Sequence, residues 1–125
     1  MSRRDLVPPV VNMVIVSGTV SKRRGLMRTS SGMYLLSFEV SCPLEMPGEA
    51  GERNTVLDIE IWGERAEALD RDLRPEMSVV VEGRLASFLF EDRSGTARHR
   101  MVVRARKVQL LDPGDSIPGK AGSDK

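Results

Sequence analysis

Arginine recurs four times in the stretch Arg98-His99-Arg100-Met101-Val102-Val103-Arg104-Ala105-Arg106. In an extended strand successive side chains alternate between faces. Arg98, Arg100, Arg104 and Arg106 then share one face, and Met101, Val103 and Ala105 share the other. A rise of about 3.4 Å per residue sets alternate side chains about 7 Å apart. That interval is close to the phosphate spacing of an extended single strand, so a track of guanidinium groups could follow a polyanionic backbone. The same pattern also suits a solvated outer face balanced by acidic neighbours. Lys22-Arg23-Arg24, with Arg28 close behind, is a second basic cluster. It is expected in the loop after the first strand, where it is either a ligand contact or simply solvated charge. Arg84, near the end of a fourth strand, is a further candidate contact.

Bases need flat partners, and aromatic residues are only 4% of the chain. Trp62 falls on the face opposite the apolar row Leu57, Ile59 and Ile61, which places it on a surface. Phe88 and Phe90 share a face at the base of a hairpin, with core packing as the alternative for either. Tyr34 and Phe38 lie on an apolar face and read as core. Asp58 and Glu60 share the face of Trp62, where two carboxylates would repel phosphate.

Catalytic chemistry finds no support. His99 and Cys42 are the only histidine and the only cysteine, so no cluster of those ligands can hold a metal within one chain. No phosphate-binding Gly-x-x-x-x-Gly-Lys-Ser/Thr loop and no Gly-x-Ser-x-Gly elbow occurs. Asp58 and Glu60 lack a catalytic partner, and Cys42 beside Pro43 reads as an inert strand-end thiol. The expectation is a non-enzyme with no cofactor.

These candidates need a scaffold. At 125 residues, 40% apolar and 30% charged, the chain has the composition of one ordinary globular domain. Nineteen basic and eighteen acidic residues leave a net charge of +1, so any affinity for nucleic acid must come from charge arrangement. No apolar run is long enough for a membrane helix. The opening Met-Ser-Arg-Arg-Asp lacks an apolar signal core, and a lone cysteine suits a reducing compartment. A cytoplasmic protein is expected.

Strand patterning dominates between a loose lead (1–11) and a Gly/Pro/Ser-rich tail (112–125), which is expected to be disordered. Val14 to Val20 form a first strand with Gly18 inside it, a mark of a bend or bulge. Lys22 to Gly32 read as turn and loop. Tyr34, Leu36, Phe38 and Val40 alternate against Ser37, Glu39 and Ser41 in a second strand. Pro43 to Asn54 read as a long loop, and Thr55 to Trp62 as a third strand. Gly63 opens a helix over Glu64 to Leu73, with Ala66, Leu69 and Leu73 at helical spacing and Pro75 as its stop. Ser78 to Leu85 form a fourth strand, followed by a hairpin arm from Phe88 to Glu91. The turn Asp92-Arg93-Ser94-Gly95 leads to a fifth strand from Arg98 to Leu111. Five strands with a helix between the third and fourth is the order of the OB-fold, an all-β Greek-key barrel. The barrel domain is expected over 12–111.

Several segments also resemble one family, the bacterial single-stranded DNA-binding proteins (SSB). Asn12 to Val20 is similar to its opening strand. Thr29-Ser30-Ser31-Gly32 with Leu35-Leu36-Ser37-Phe38 is similar to its Thr-Pro-Ser-Gly turn and second strand. Ile61-Trp62-Gly63-Glu64-Arg65-Ala66-Glu67 resembles its Leu-Phe-Gly-Lys-Leu-Ala-Glu stretch. Val79-Val80-Val81-Glu82-Gly83-Arg84-Leu85 resembles its Val-Tyr-Val-Glu-Gly-Arg-Leu strand, and Asp92-Arg93-Ser94-Gly95 its hairpin tip. The resemblance implies a homo-oligomer, a dimer or tetramer, that coats single-stranded DNA without sequence preference in replication, recombination or repair. It places Trp62 and Phe90 at base-stacking positions and replaces a third stacking ring by Val56. Asp115-Ser116-Ile117-Pro118-Gly119 only echoes the family's acidic terminal Asp-Asp-Ile-Pro-Phe, so recruitment through a tail is not implied. Ser17 to Val20 and Val108 to Asp115 are also similar to the primosomal PriB-like proteins. That relation implies the alternative, replication restart through replication or primosome protein partners with weaker DNA binding.

Overall fold

The computed structural model describes residues 9–44 and 53–111. The expected lead and tail fall largely outside the described residues, at 1–8 and 112–125, as do residues 45–52 of the expected long loop. Five strands and one helix follow in the order β1 (Val14–Arg28), β2 (Tyr34–Leu44), β3 (Arg53–Trp62), α1 (Glu64–Asp70), β4 (Ser78–Glu91) and β5 (Ala97–Leu111). The strands close into a barrel in the order β1-β2-β3-β5-β4. This is the five-stranded OB barrel that the strand order predicts.

Closure rests on β1. Its first half pairs antiparallel with β4, from Val14↔Gly83 to Thr19↔Ser78. Its second half pairs antiparallel with β2, from Thr19↔Ser41 to Arg28↔Tyr34. One strand can serve two partners only if it bends sharply, and register shifts between Val20 and Lys22 and between Arg23 and Gly25 supply the bend. At the changeover the chains nearly touch. A Cβ on Gly18 would lie 2.3 Å from the Ser41 carbonyl oxygen, so no larger residue fits without moving backbone.

The seam opposite is narrower. β3 and β5 run parallel and share only the pairs Ile59↔Val103 and Glu60↔Arg104. Helix α1 packs on β1, β2 and β3. Ala66 and Leu73 are fully buried, as their spacing predicts. The helix is shorter than expected. It ends at Asp70, and the chain continues through a turn in which the Leu73 N–H donates to the Leu69 carbonyl at 3.0 Å. Leu36, Phe38, Val40, Ile59, Ile61, Val79, Val81 and Val103 complete the core, with Tyr34 packed against it. Burial pushes the Cys42 thiol pKa up, which keeps it in the unreactive protonated form.

Two expectations need correction. Lys22, Arg23 and Arg24 are not in a loop, because β1 continues through them to Arg28. The turn-forming residues there are absorbed as bulges, since the second half of β1 is needed to reach β2. The fourth strand also does not stop at Leu85, because β4 and β5 stay paired as far as Glu91↔Ala97. The result is a two-stranded arm that projects past the barrel. Met101, on the same strand face as the buried Val103, is 54% exposed for this reason.

The arm ends in a tight turn organised by Asp92. Its Oδ1 accepts from the Ser94 N–H at 2.9 Å, the Ser94 hydroxyl at 2.7 Å and the Thr96 N–H at 3.0 Å. Its Oδ2 accepts from Arg98 Nε at 2.5 Å. Gly95 takes the positive φ of 86° that the turn needs. Arg98 first, then the Ser94 and Thr96 donors, lower the Asp92 pKa to about 2.

Gly18→Ala should destabilise the barrel by about 1–3 kcal/mol in urea unfolding, because the added methyl meets backbone. An unchanged midpoint would mean that β1 and β2 do not approach as described. A depressed folded pKa contributes stability that is present above the ordinary carboxylate pKa and lost as pH falls through the folded value. The carboxyl carbon of Asp92 should therefore report an ionised group at pH 3 by NMR. In Arg98→Ala its midpoint should rise, and a midpoint near 4 in the unsubstituted chain would refute the capped turn.

Candidate nucleic-acid interface

Residues directly opposite in a ladder project to the same side. On β4 and β5 the rungs Arg84↔Arg104, Ala86↔Val102, Phe88↔Arg100 and Phe90↔Arg98 therefore form one outward face. Phe88 and Phe90 are 39% and 41% exposed. Neither belongs to the core, which settles the alternative left open for them. Each ring stands opposite an arginine, so an exposed ring and a cation share a rung.

The face continues across the seam. Glu60 sits beside Arg104 on β3, and Asp58 and Trp62 alternate with it on the same side. On β2, Ser37 pairs with Glu60, Glu39 with Asp58 and Leu35 with Trp62. Trp62 is half-buried, and its indole Nε1 donates to Glu60 Oε1 at 3.3 Å. Leu35 points outward yet is only 8% exposed. Its cross-strand neighbours are Trp62 and Met27. Val102 is likewise buried on the outward side, between Arg100 and Arg104, whose aliphatic stems can lie over it.

Most of the sequence-predicted cations already hold an anion. Arg24 reaches Glu39 Oε2 at 2.9 Å and Asp58 Oδ1 at 3.1 Å. The other Asp58 oxygen lies 3.2 Å from Arg100. Arg104 lies 3.8 Å from Glu60, Arg98 is held by Asp92, and Arg106 pairs with Glu82. Asp58 and Glu60 are thus not bare repulsive charges. Asp58 bridges Arg24 on β1 and Arg100 on β5, and Glu60 reaches Arg104 across the β3–β5 seam, where backbone pairing is sparse. Such part-exposed pairs contribute about 0–1 kcal/mol each, so a polyanion could exchange for the carboxylates at small cost.

The remaining candidates divide. Arg23 alternates with Arg24 onto the side of Phe38 and bonds the far end of α1, pairing with the Asp70 carboxylate and donating to the Leu73 carbonyl at 3.3 Å. That ties down the helix rather than facing the rings. Arg28 lies over the Tyr34 ring, 5.2 Å from its centroid. Lys22 is exposed opposite Glu39. Arg106 does not continue the even track. The β4–β5 register runs from Glu82↔Lys107 to Gly83↔Ala105, which leaves Arg106 as the extra residue of a bulge.

Two residues escaped sequence reasoning. Asn12 lies just before β1, and its side-chain amide donates to the Leu85 carbonyl and accepts from the Leu85 N–H, both at 2.9 Å. It extends the pairing where β1 begins and the arm departs. Arg65 on α1 donates to the Arg106 carbonyl and so lies over β5. Neither residue carries a local signal, since each acts on a partner far along the chain. Among the described residues, no group of three His, Cys, Asp or Glu could hold a metal ion. No helix there is long and apolar enough to cross a membrane.

Comparison with known proteins agrees with this geometry. The chain is 29% identical to the single-stranded DNA-binding protein of Helicobacter hepaticus, over 86% of this chain and 66% of that protein. It is 27% identical to single-stranded DNA-binding protein 2 of Chlorobaculum tepidum, over 83% of this chain and 73% of that one. It is 28% identical to the single-stranded DNA-binding protein of Wolinella succinogenes, over 90% and 72%. Residues 11–111, the whole barrel with its arm, match the single-strand binding protein family. The chain belongs to that family.

Proposed function

We propose that this protein binds single-stranded DNA without sequence preference, acting by binding rather than by catalysis. The carrying observation is the pairing of exposed rings with arginines on the arm, Phe88↔Arg100 and Phe90↔Arg98. A ring accepts any base on its face, and a guanidinium accepts any phosphate, so the surface reads neither sequence nor groove. Trp62 supplies a third aromatic group at the far side of the same face. Arg24, Arg84, Arg98, Arg100 and Arg104 are the proposed phosphate contacts. Replication, recombination or repair in the cytoplasm is the setting that follows from coating exposed single strands. A homo-oligomer of such barrels, dimer or tetramer, would align several of these faces for a longer strand.

Partner docking through the acidic strand face is the weaker reading. Asp58 and Glu60 are engaged by Arg24, Arg100 and Arg104 and do not present an open acidic patch. The primosomal alternative, which rests on Ser17 to Val20 and Val108 to Asp115, gains no support from this face.

Trp62 is the only tryptophan, so its fluorescence reports on the face directly. Titration with oligo-dT should quench it, and quenching should weaken steeply with salt, by about 0.7 in log–log slope for each phosphate contact. Absence of both quenching and a mobility shift would sink the proposal. Phe88→Ala and Phe90→Ala should each weaken binding by about 1–3 kcal/mol without changing that slope. Asp58→Asn should tighten binding and steepen the slope, because it frees Arg100 and leaves Arg24 held by Glu39 alone. Weaker binding in Asp58→Asn would show instead that the carboxylate holds both arginines in their working positions.

A further inference from the structure

At the root of the arm the strand face ends in a notch of about 510 Å³. Arg65, Arg84, Arg104 and Arg106 line it, against Glu82 as the single lining carboxylate. Arg84 and Arg104 are direct cross-strand partners. Like charges set opposite each other destabilise a ladder, so an anion between them would relieve a built-in repulsion. The protein's own anions answer only part of it. Glu82 is taken by Arg106, and Glu60 comes no closer to Arg104 than 3.8 Å. Arg84 has no ion pair among the described residues.

The convergence is built by three separate devices. The bulge turns Arg106 out of the even track. The bond to the Arg106 carbonyl draws Arg65 over from α1. Close approach sets the wall between β4 and β5, where a Cβ on Gly83 would fall 2.3 Å from the Arg104 carbonyl oxygen. The Asn12 amide, also at the notch, is already committed to Leu85. Guanidinium groups are the charged donors that line it. They come from a helix and two strands around a concavity, which suits a tetrahedral, multiply charged group better than a planar carboxylate.

We propose that this notch is a phosphate-binding site, which takes the DNA backbone where the strand leaves the rings of the arm. The DNA part rests on the single-strand reading above. The phosphate chemistry is shared with free pyrophosphate, and the test separates the two. Arg84↔Arg104 lies three rungs from Phe90↔Arg98, about 20 Å at two residues per rung. A strand lying along the arm therefore reaches the notch within a few nucleotides.

Arg65 is the discriminating residue, because it lies on α1 and not on the strand face. With oligo-dT of about 16 nucleotides, the upper site size for one barrel, Arg65→Ala and Arg84→Ala should each flatten the salt slope by about 0.7. Arg65→Lys should restore most of the slope, whereas a purely structural role for the bond to Arg106 would leave the slope unmoved in all three variants. Arg71→Ala, on the exposed end of the same helix, is the control for general charge and should change nothing by comparison. DNA binding with an unaltered slope in Arg65→Ala and Arg84→Ala overturns the notch while leaving the single-strand reading intact. If the unsubstituted chain fails to bind oligo-dT, the DNA reading falls instead. Calorimetry with inorganic pyrophosphate at low salt then decides the notch. Binding that is lost in both alanine variants supports a site for free phosphate groups, and no binding refutes it.

Discussion

The whole molecule depends on β1 holding two partners at once. Without the bend near Val20 the strand would pair with β4 or with β2 but not with both, and the sheet would stay open. Two bulges make the bend, and Gly18 lets the backbones of β1 and β2 meet where the pairing changes over. Backbone atoms of Glu76 and Met77 complete the hydrogen bonding of Val20 at that corner. Once the barrel is closed, the core residues of all five strands face one interior, and what remains outside is organised by default. The outward face of β3, β5 and β4 is the exterior of that closure.

The same face must also hold the barrel's weakest seam. Parallel β3 and β5 share two register pairs, so side chains assist where the backbone does not. Asp58 to Arg100 and Glu60 to Arg104 cross the seam, and Arg24 extends the ladder to Glu39 on β2. These carboxylates give a chain of nearly balanced charge a cationic face that does not repel itself before a ligand arrives. They are also what a polyanion must displace. A polyanion bound on this face, as proposed, would exchange one set of anions for another, which favours salt-sensitive and sequence-blind contact.

The arm differs in kind. It has two strands, solvent on both sides and no core of its own, and such ribbons are marginal alone. It is stabilised at both ends. At the root Asn12 extends the pairing where β1 begins, and at the tip Asp92 gathers the Ser94, Thr96 and Arg98 donors. Rings and arginines can therefore stand exposed on a projecting ribbon that still keeps its register.

Much of this was legible in the chain before folding. Alternation is a local property, so Leu36, Phe38, Val40, Ile59 and Ile61 announce their side of a strand, and the Ala66, Leu69, Leu73 spacing announces a helix under a barrel. The outward placement of Trp62 and the shared face of Phe88 and Phe90 follow from the same period of two. Decisions that require knowing which strand lies beside which were not legible. The fate of Lys22 to Gly25 as strand rather than loop was set by the demand of β2 for a partner. The displacement of Arg106 was set by a bulge opposite Glu82, and the pairing of Asp58 with Arg100 by a seam between segments about forty residues apart. Sequence alone determined the faces, because side-chain direction is a property of neighbouring residues. Only tertiary structure decided which charges meet, because an ion pair depends on distances that closure of the barrel creates.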